Sequence, residues 1–106
     1  MLVTFDKKYL EDLYTIGKAD DKKHHYQPQI VRGYQKAIKY LIMASRIEDL
    51  FPIKSLHFEA LHGDKDGRFS IKANDQYRVE FTVSKEQENT LITICNVLDL
   101  SNHYKR

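Results

Sequence analysis

Between Leu56 and Arg78, in the run LHFEALHGDKDGRFSIKANDQYR, the chain gathers Glu59, His62, Lys65, Arg68, Lys72 and Arg78, and its tail SNHYKR adds His103, Tyr104, Lys105 and Arg106. Acids, bases and cations held this close can move protons and carry charge on phosphorus. His and Glu serve as base or acid. Arg presents a planar fork to a phosphate, and Tyr or His stacks on a base or donates a proton. The set suits cleavage of RNA by its own ribose 2′-hydroxyl. That reaction needs a base for the hydroxyl proton, an acid for the leaving oxygen and cations for the charge building on phosphate. Arg78, His103, Glu59 and His62 are the candidates for the chemistry, and Arg68, Lys72, Tyr104 and Lys105 for holding the strand. No spacing of His, Cys and Asp demands a metal, and no cofactor is called for.

Such a group works only on a common surface, and alternation provides one. Phe69 and Ile71 alternate with Arg68, Ser70 and Lys72, and Tyr77, Val79, Phe81 and Val83 with Arg78, Glu80 and Thr82. Successive side chains of a strand point to opposite faces. Glu59, Arg68, Lys72 and Arg78 therefore share one face if helices cover the other. The supporting elements read in order. Leu2–Phe5 is a short strand, and Asp6 is placed to cap the helix after it, which carries Leu10, Leu13 and Tyr14 and stops near Gly17. Residues 18–27, KADDKKHHYQ, form a polar loop. Pro28 opens a second helix reaching about Ala44, with Ile30, Tyr34, Ala37, Ile38 and Leu41 on one side and Arg32, Lys36 and Lys39 on the other. Residues 45–55 connect to strands at Leu56–Leu61, Gly67–Ala73, Gln76–Val83 and Thr90–Asp99, with HGDKDG and a tight Asn74-Asp75 hairpin among the turns. The expected fold class is α+β: a strand and a two-helix hairpin packed on a four- to five-stranded, mainly antiparallel sheet.

Composition agrees. A chain of 106 residues suits one domain, 1–106, and can bury a core without metal or disulfide staples. No apolar run approaches a membrane span, and MLVTFDKKYL is not a signal peptide. The lone Cys95, within ITICNVL, fits a buried strand position and a reducing cytoplasm. The net charge is only +2, but the tail is basic and free of acids, compatible with a phosphate-bearing partner.

Each of these residues also has a plainer role. Arg68 and Arg78 could pair with Glu59 and Glu80 across the sheet, and residue type alone favours that reading. His57, His62 and the His24-His25 pair fit solvated loops, the Arg32, Lys36, Lys39 stripe the wet side of a helix, and Cys95 the core. His103 and Tyr104 resist such a reading, because a tail frays unless something holds it.

The run LHFEALHGDKDGRFSIKANDQYRVEF, followed by VLDLSNHYKR, resembles the HigB branch of the RelE/ParE toxin superfamily of bacterial toxin–antitoxin modules. The pattern L-x-G-D-x-x-G-x-aromatic-S-I, then aromatic-Arg-apolar, falls on Leu61, Gly63-Asp64, Gly67, Phe69-Ser70-Ile71 and Tyr77-Arg78-Val79. The resemblance implies a toxin that cleaves messenger RNA in the ribosomal decoding site. It also implies a cognate antitoxin, a HigA-like helix-turn-helix protein through which alone the module touches operator DNA. The family's phosphate-stabilising arginine falls on Arg78 and its C-terminal histidine on His103. Ser101 and Asn102 stand where the family has an acid and a tyrosine, and Tyr104 follows the histidine. A strand histidine of some members is Glu59 here, and the basic residue before the Gly-Asp turn is His62. The alternative within the fold is a ParE-like toxin that binds gyrase and cuts no RNA; those relatives generally lack the His-bearing tail and cationic sheet face.

Overall fold

The computed structural model describes residues 1–87 and 91–102. The order is β1 (Leu2–Phe5), α1 (Lys8–Thr15), α2 (Pro28–Met43), β2 (Glu59–Ala60), β3 (Phe69–Lys72), β4 (Arg78–Gln87) and β5 (Leu91–Ser101). The strands form one five-stranded sheet in the order β1-β5-β4-β3-β2. β1 runs parallel to β5, and the other neighbours are antiparallel. This is the α+β arrangement expected.

Burial follows the periodicities. Leu10 and Leu13 of α1 and Ile30, Tyr34, Ala37, Ile38 and Leu41 of α2 are buried against Ile71, Val79, Phe81, Cys95, Val97 and Leu100 of the sheet. The helices are also tied to each other. The Tyr34 hydroxyl donates to the Leu10 carbonyl at 2.6 Å. Gln35 Nε2 donates to the carbonyls of Leu13 and Tyr14, which lack partners at the end of α1. Gly33 sits in the middle of α2 because the turn between β3 and β4 presses on it. A Cβ there would lie 2.2 Å from the Ala73 carbonyl oxygen. The contact fixes α2 against the turn, and its need for bare backbone outweighs the weak helix propensity of glycine.

Four local features differ from expectation. The strand expected over 76–83 runs on to Gln87, because Ser84–Gln87, expected as a turn, pair with Ile94–Leu91 of β5. Asp6 does not cap α1. Its N–H continues the β1–β5 ladder by donating to the Val97 carbonyl at 2.8 Å, so the helix begins one residue later, with Lys7 at the N-cap and no side-chain cap. The strand expected over 56–61 shrinks to Glu59–Ala60, because Lys54–Leu56 winds into a 3₁₀ turn and His57 follows at φ +44°. The Asn74-Asp75 hairpin is wider than a two-residue turn. Lys72 pairs with Arg78, and the Asn74 side-chain oxygen accepts from the N–H groups of Gln76 and Tyr77 at 2.9 and 2.7 Å. β5 carries a bulge at Leu98, since Glu80 faces Asp99 while Phe81 faces Val97.

Candidate active site on the polar sheet face

With Ile71, Val79 and Phe81 committed to the core, alternation sends Ser70, Lys72, Arg78 and Glu80 to the opposite face. The register lines them up. Glu59 lies opposite Ser70, Ser70 opposite Glu80, and Lys72 opposite Arg78, which in turn faces Ser101.

This face is polar but not open. Arg78 is 8% exposed and Glu80 0%. A charge removed from water is tolerated only with close partners. Glu80 receives Lys65 Nζ at 2.7 Å and Arg68 Nη1 at 3.3 Å, both reaching in from the loop after β2. Arg78 Nε donates to the Ser70 hydroxyl at 2.8 Å, and its Nη2 to the carbonyls of Ser70, at 3.3 Å, and of His57. These bonds fix the plane and direction of the guanidinium. His57 is the one non-glycine residue at positive φ among those described. That left-handed backbone costs about 1 kcal/mol or more, and it belongs to the residue whose carbonyl holds Arg78.

Arg68 and Glu80 thus pair as the plainer reading foresaw, whereas the described bonds of Arg78 go to Ser70 and His57 instead. Glu59 is exposed on the edge strand, on the Arg78 face. His62 is exposed before the Gly63–Lys65 turn. Neither side chain makes a hydrogen bond or ion pair among the described residues. Lys72 pairs with Asp75 at 2.9 Å. His103, Tyr104 and Lys105 lie outside the described residues. Sequence reasoning missed Lys65 as a partner of Glu80, Ser70 as the seat of Arg78, and the backbone of His57. The signal for Ser70 was present, as a small hydroxyl two residues from Lys72 on the polar side; nothing in the sequence points to a carbonyl.

The remaining candidates are structural. His24 Nδ1 lies 2.9 Å from the Asp21 carboxylate, and its ring stacks on Tyr9 at 3.6 Å between centroids. Cys95 is buried, and burial pushes its thiol up to about 12. No helix among the described residues is long and apolar enough to cross a membrane.

Two helices on one side of this five-stranded mixed sheet, with a buried arginine and glutamate on the other, define a small RelE-like toxin fold. A solved YoeB/ParE toxin from Agrobacterium tumefaciens superposes on it with a TM-score of 0.54 at 18% sequence identity, over 98% of this chain and 100% of that one. Residues 3–100 match the family model of the HigB-like toxins, described as RelE-like toxins of type II toxin–antitoxin systems, and the chain belongs to that family. No curated protein matches it. Membership makes it the toxin half of such a module and implies a cognate antitoxin.

Proposed function

We propose that the chain is a metal-independent endoribonuclease that cuts messenger RNA on the ribosome and so stops translation in the cytoplasm. The observation that carries this reading is the aim of Arg78. Its guanidinium is immobilised by Ser70 and His57 on the face that also holds Glu59, away from the helices. A donor fixed in advance stabilises developing phosphate charge without reorganising as the reaction proceeds. Glu80 with Lys65 and Arg68 acts as the buttress that keeps this side of the sheet polar and rigid.

The chemistry is an in-line transfer within the RNA. A base, Glu59 or His62, takes the 2′-hydroxyl proton, and the 2′-oxygen bonds to the adjacent phosphorus. The bond from phosphorus to the 5′-oxygen breaks, and His103 returns a proton to that oxygen. The products are a 2′,3′-cyclic phosphate and a 5′-hydroxyl. Arg78 stabilises the extra negative charge between these events, and Lys72, Tyr104 and Lys105 hold the strand. Family membership of HigB type, rather than ParE type, supports RNA over gyrase as the target. The antitoxin is a HigA-like helix-turn-helix protein, and operator DNA is met only through it.

Labelled message in a translation extract tests the reading. The wild type should cut it with ribosomes present and leave it whole without them. An intact message on translating ribosomes overturns the proposal.

A further inference from the structure

A second feature lies at the junction of α2 with the β3–β4 turn. A cavity of about 150 Å³ is bordered there by Lys36, Tyr40, Ser55, Lys72 and Asn74. Sites for whole small molecules run to roughly 300–1,000 Å³, so this one admits a single compact group. Its lining side chains include two lysines, Lys36 and Lys72, and three groups able to donate a hydrogen bond, Tyr40, Ser55 and Asn74. The Lys36 ammonium and the Tyr40 and Ser55 hydroxyls have no hydrogen-bond or ion-pair partner among the described residues. Asn74 is oriented by its own turn: its side-chain oxygen already accepts from two backbone N–H groups, which leaves its NH₂ with both hydrogens to give. No carboxylate borders the cavity. Asp75 holds Lys72 at 2.9 Å but is 96% exposed, and such a pair is weak enough for a better anion to displace. The walls are fixed, because α2 and the turn meet at Gly33 and Ala73 without room for a methyl group.

We propose that this cavity is an anion site that seats one backbone phosphate of the RNA strand, apart from the phosphate at Arg78. Lys72 links the two places: it lines the cavity and lies opposite Arg78 in the sheet register. A polyanion held by Arg78 and Lys72 would round the end of the sheet beside the β3–β4 turn to reach Lys36 on the helix side. That continuity favours a nucleic-acid strand over an acidic peptide segment of the antitoxin. The inference rests on the RNA reading above but assigns residues that the cutting chemistry does not use. It also gives Lys36 a role beyond the solvated stripe of α2.

The test uses the full ¹⁵N-labelled chain and inorganic phosphate. The Asn74 side-chain amide signals should shift saturably, and Lys36→Gln, an exposed change that leaves the fold alone, should abolish the shift. No saturable shift, or one that survives in Lys36→Gln, overturns the proposal. A second arm measures affinity for an uncuttable 2′-deoxy oligonucleotide against salt. Each phosphate contact to a single strand contributes about 0.7 to the slope of log K on log salt, so Lys36→Gln should flatten the slope by about that amount. Equal slopes, or a Lys36→Gln defect confined to antitoxin binding, would refute the site while leaving RNA cleavage standing. A wild type that cuts no message yet shows the phosphate shift and the Lys36-dependent slope would end the catalytic reading and keep this one.

Discussion

Val79 and Phe81 leave one side of β4, Arg78 and Glu80 leave the other, and all four are buried. The means are opposite. Phe81 lies in a ring cluster, 6.1 Å from Phe69 and 6.5 Å from Phe58 between centroids, so removing its surface from water is itself the gain. Arg78 and Glu80 lose hydration and are compensated by polar partners, among them Ser70, His57, Lys65 and Arg68. Buried ion pairs often contribute little net stability over an apolar equivalent. A strand that needed only stability would be better served by apolar residues on both sides. The helix side of β4 is the one that holds the fold together, and the polar side is the one to which the proposed chemistry is assigned.

Substitutions on the two sides should separate accordingly. Phe81→Ala should cost most, about 3–5 kcal/mol by the usual range for a core phenylalanine, read as a large drop in the urea midpoint. A loss under about 1 kcal/mol would mean that this side is not the main core. Glu80→Ala should cost less, about 2 kcal/mol. That is below the range of about 3–5 kcal/mol for breaking a buried pair, because Lys65 and Arg68 are about one-third exposed and can turn to water. A Glu80→Ala protein as unstable as Phe81→Ala would erase the contrast. His57→Gly should act in the opposite direction. It keeps the carbonyl that holds Arg78 and removes the left-handed strain, so the protein should gain about 1 kcal/mol. A loss of similar size would show that the His57 side chain matters more than its backbone.

The smallest effect is one of pH. Burial raises the Cys95 thiol and the Tyr26 phenol, each to about 12, and raises Tyr9 and Tyr34 as well. The folded protein keeps these protons where the unfolded chain loses them. Their stability contribution is complete below the ordinary thiol and phenol ranges and fades as pH climbs from about 9 toward 12. Unfolding midpoints should fall over that window, with Cys95→Val removing the earlier part of the fall. A flat profile would contradict the burial of these groups.

Helical spacing put Ile30, Tyr34, Ala37, Ile38 and Leu41 of α2 on the buried side, because a long amphipathic pattern is over-determined, but passed over the buried Val31. Strand alternation placed Arg78 and Glu80 on the side away from the helices, and the resemblance around Leu61–Val79 named the family correctly. Parity tells the side and not the depth, so the burial of Arg78 and its seat on Ser70 were hidden. The short β2 was overestimated because the alternation of Leu56–Leu61 continues through a 3₁₀ turn and a left-handed residue, where pleating no longer applies. The cap expected at Asp6 is absent because the β1–β5 ladder runs on to Asp6 and moves the N-cap position to Lys7. The need for a glycine at position 33 is not visible in the helical pattern and appears only when the β3–β4 turn is seen against it.

The central claim is that Arg78 is fixed in order to hold charge on phosphorus, not to hold the sheet. Arg78→Lys keeps the charge and loses the fork. The most direct measurement is its rate of message cleavage on ribosomes relative to wild type, taken beside the two thermal midpoints. We predict a rate lower by about 10²–10³-fold, the usual loss for one preorganised charge-stabilising donor, with midpoints within a few degrees. Cleavage at the wild-type rate, or a lost rate explained by a collapsed midpoint, would contradict the account.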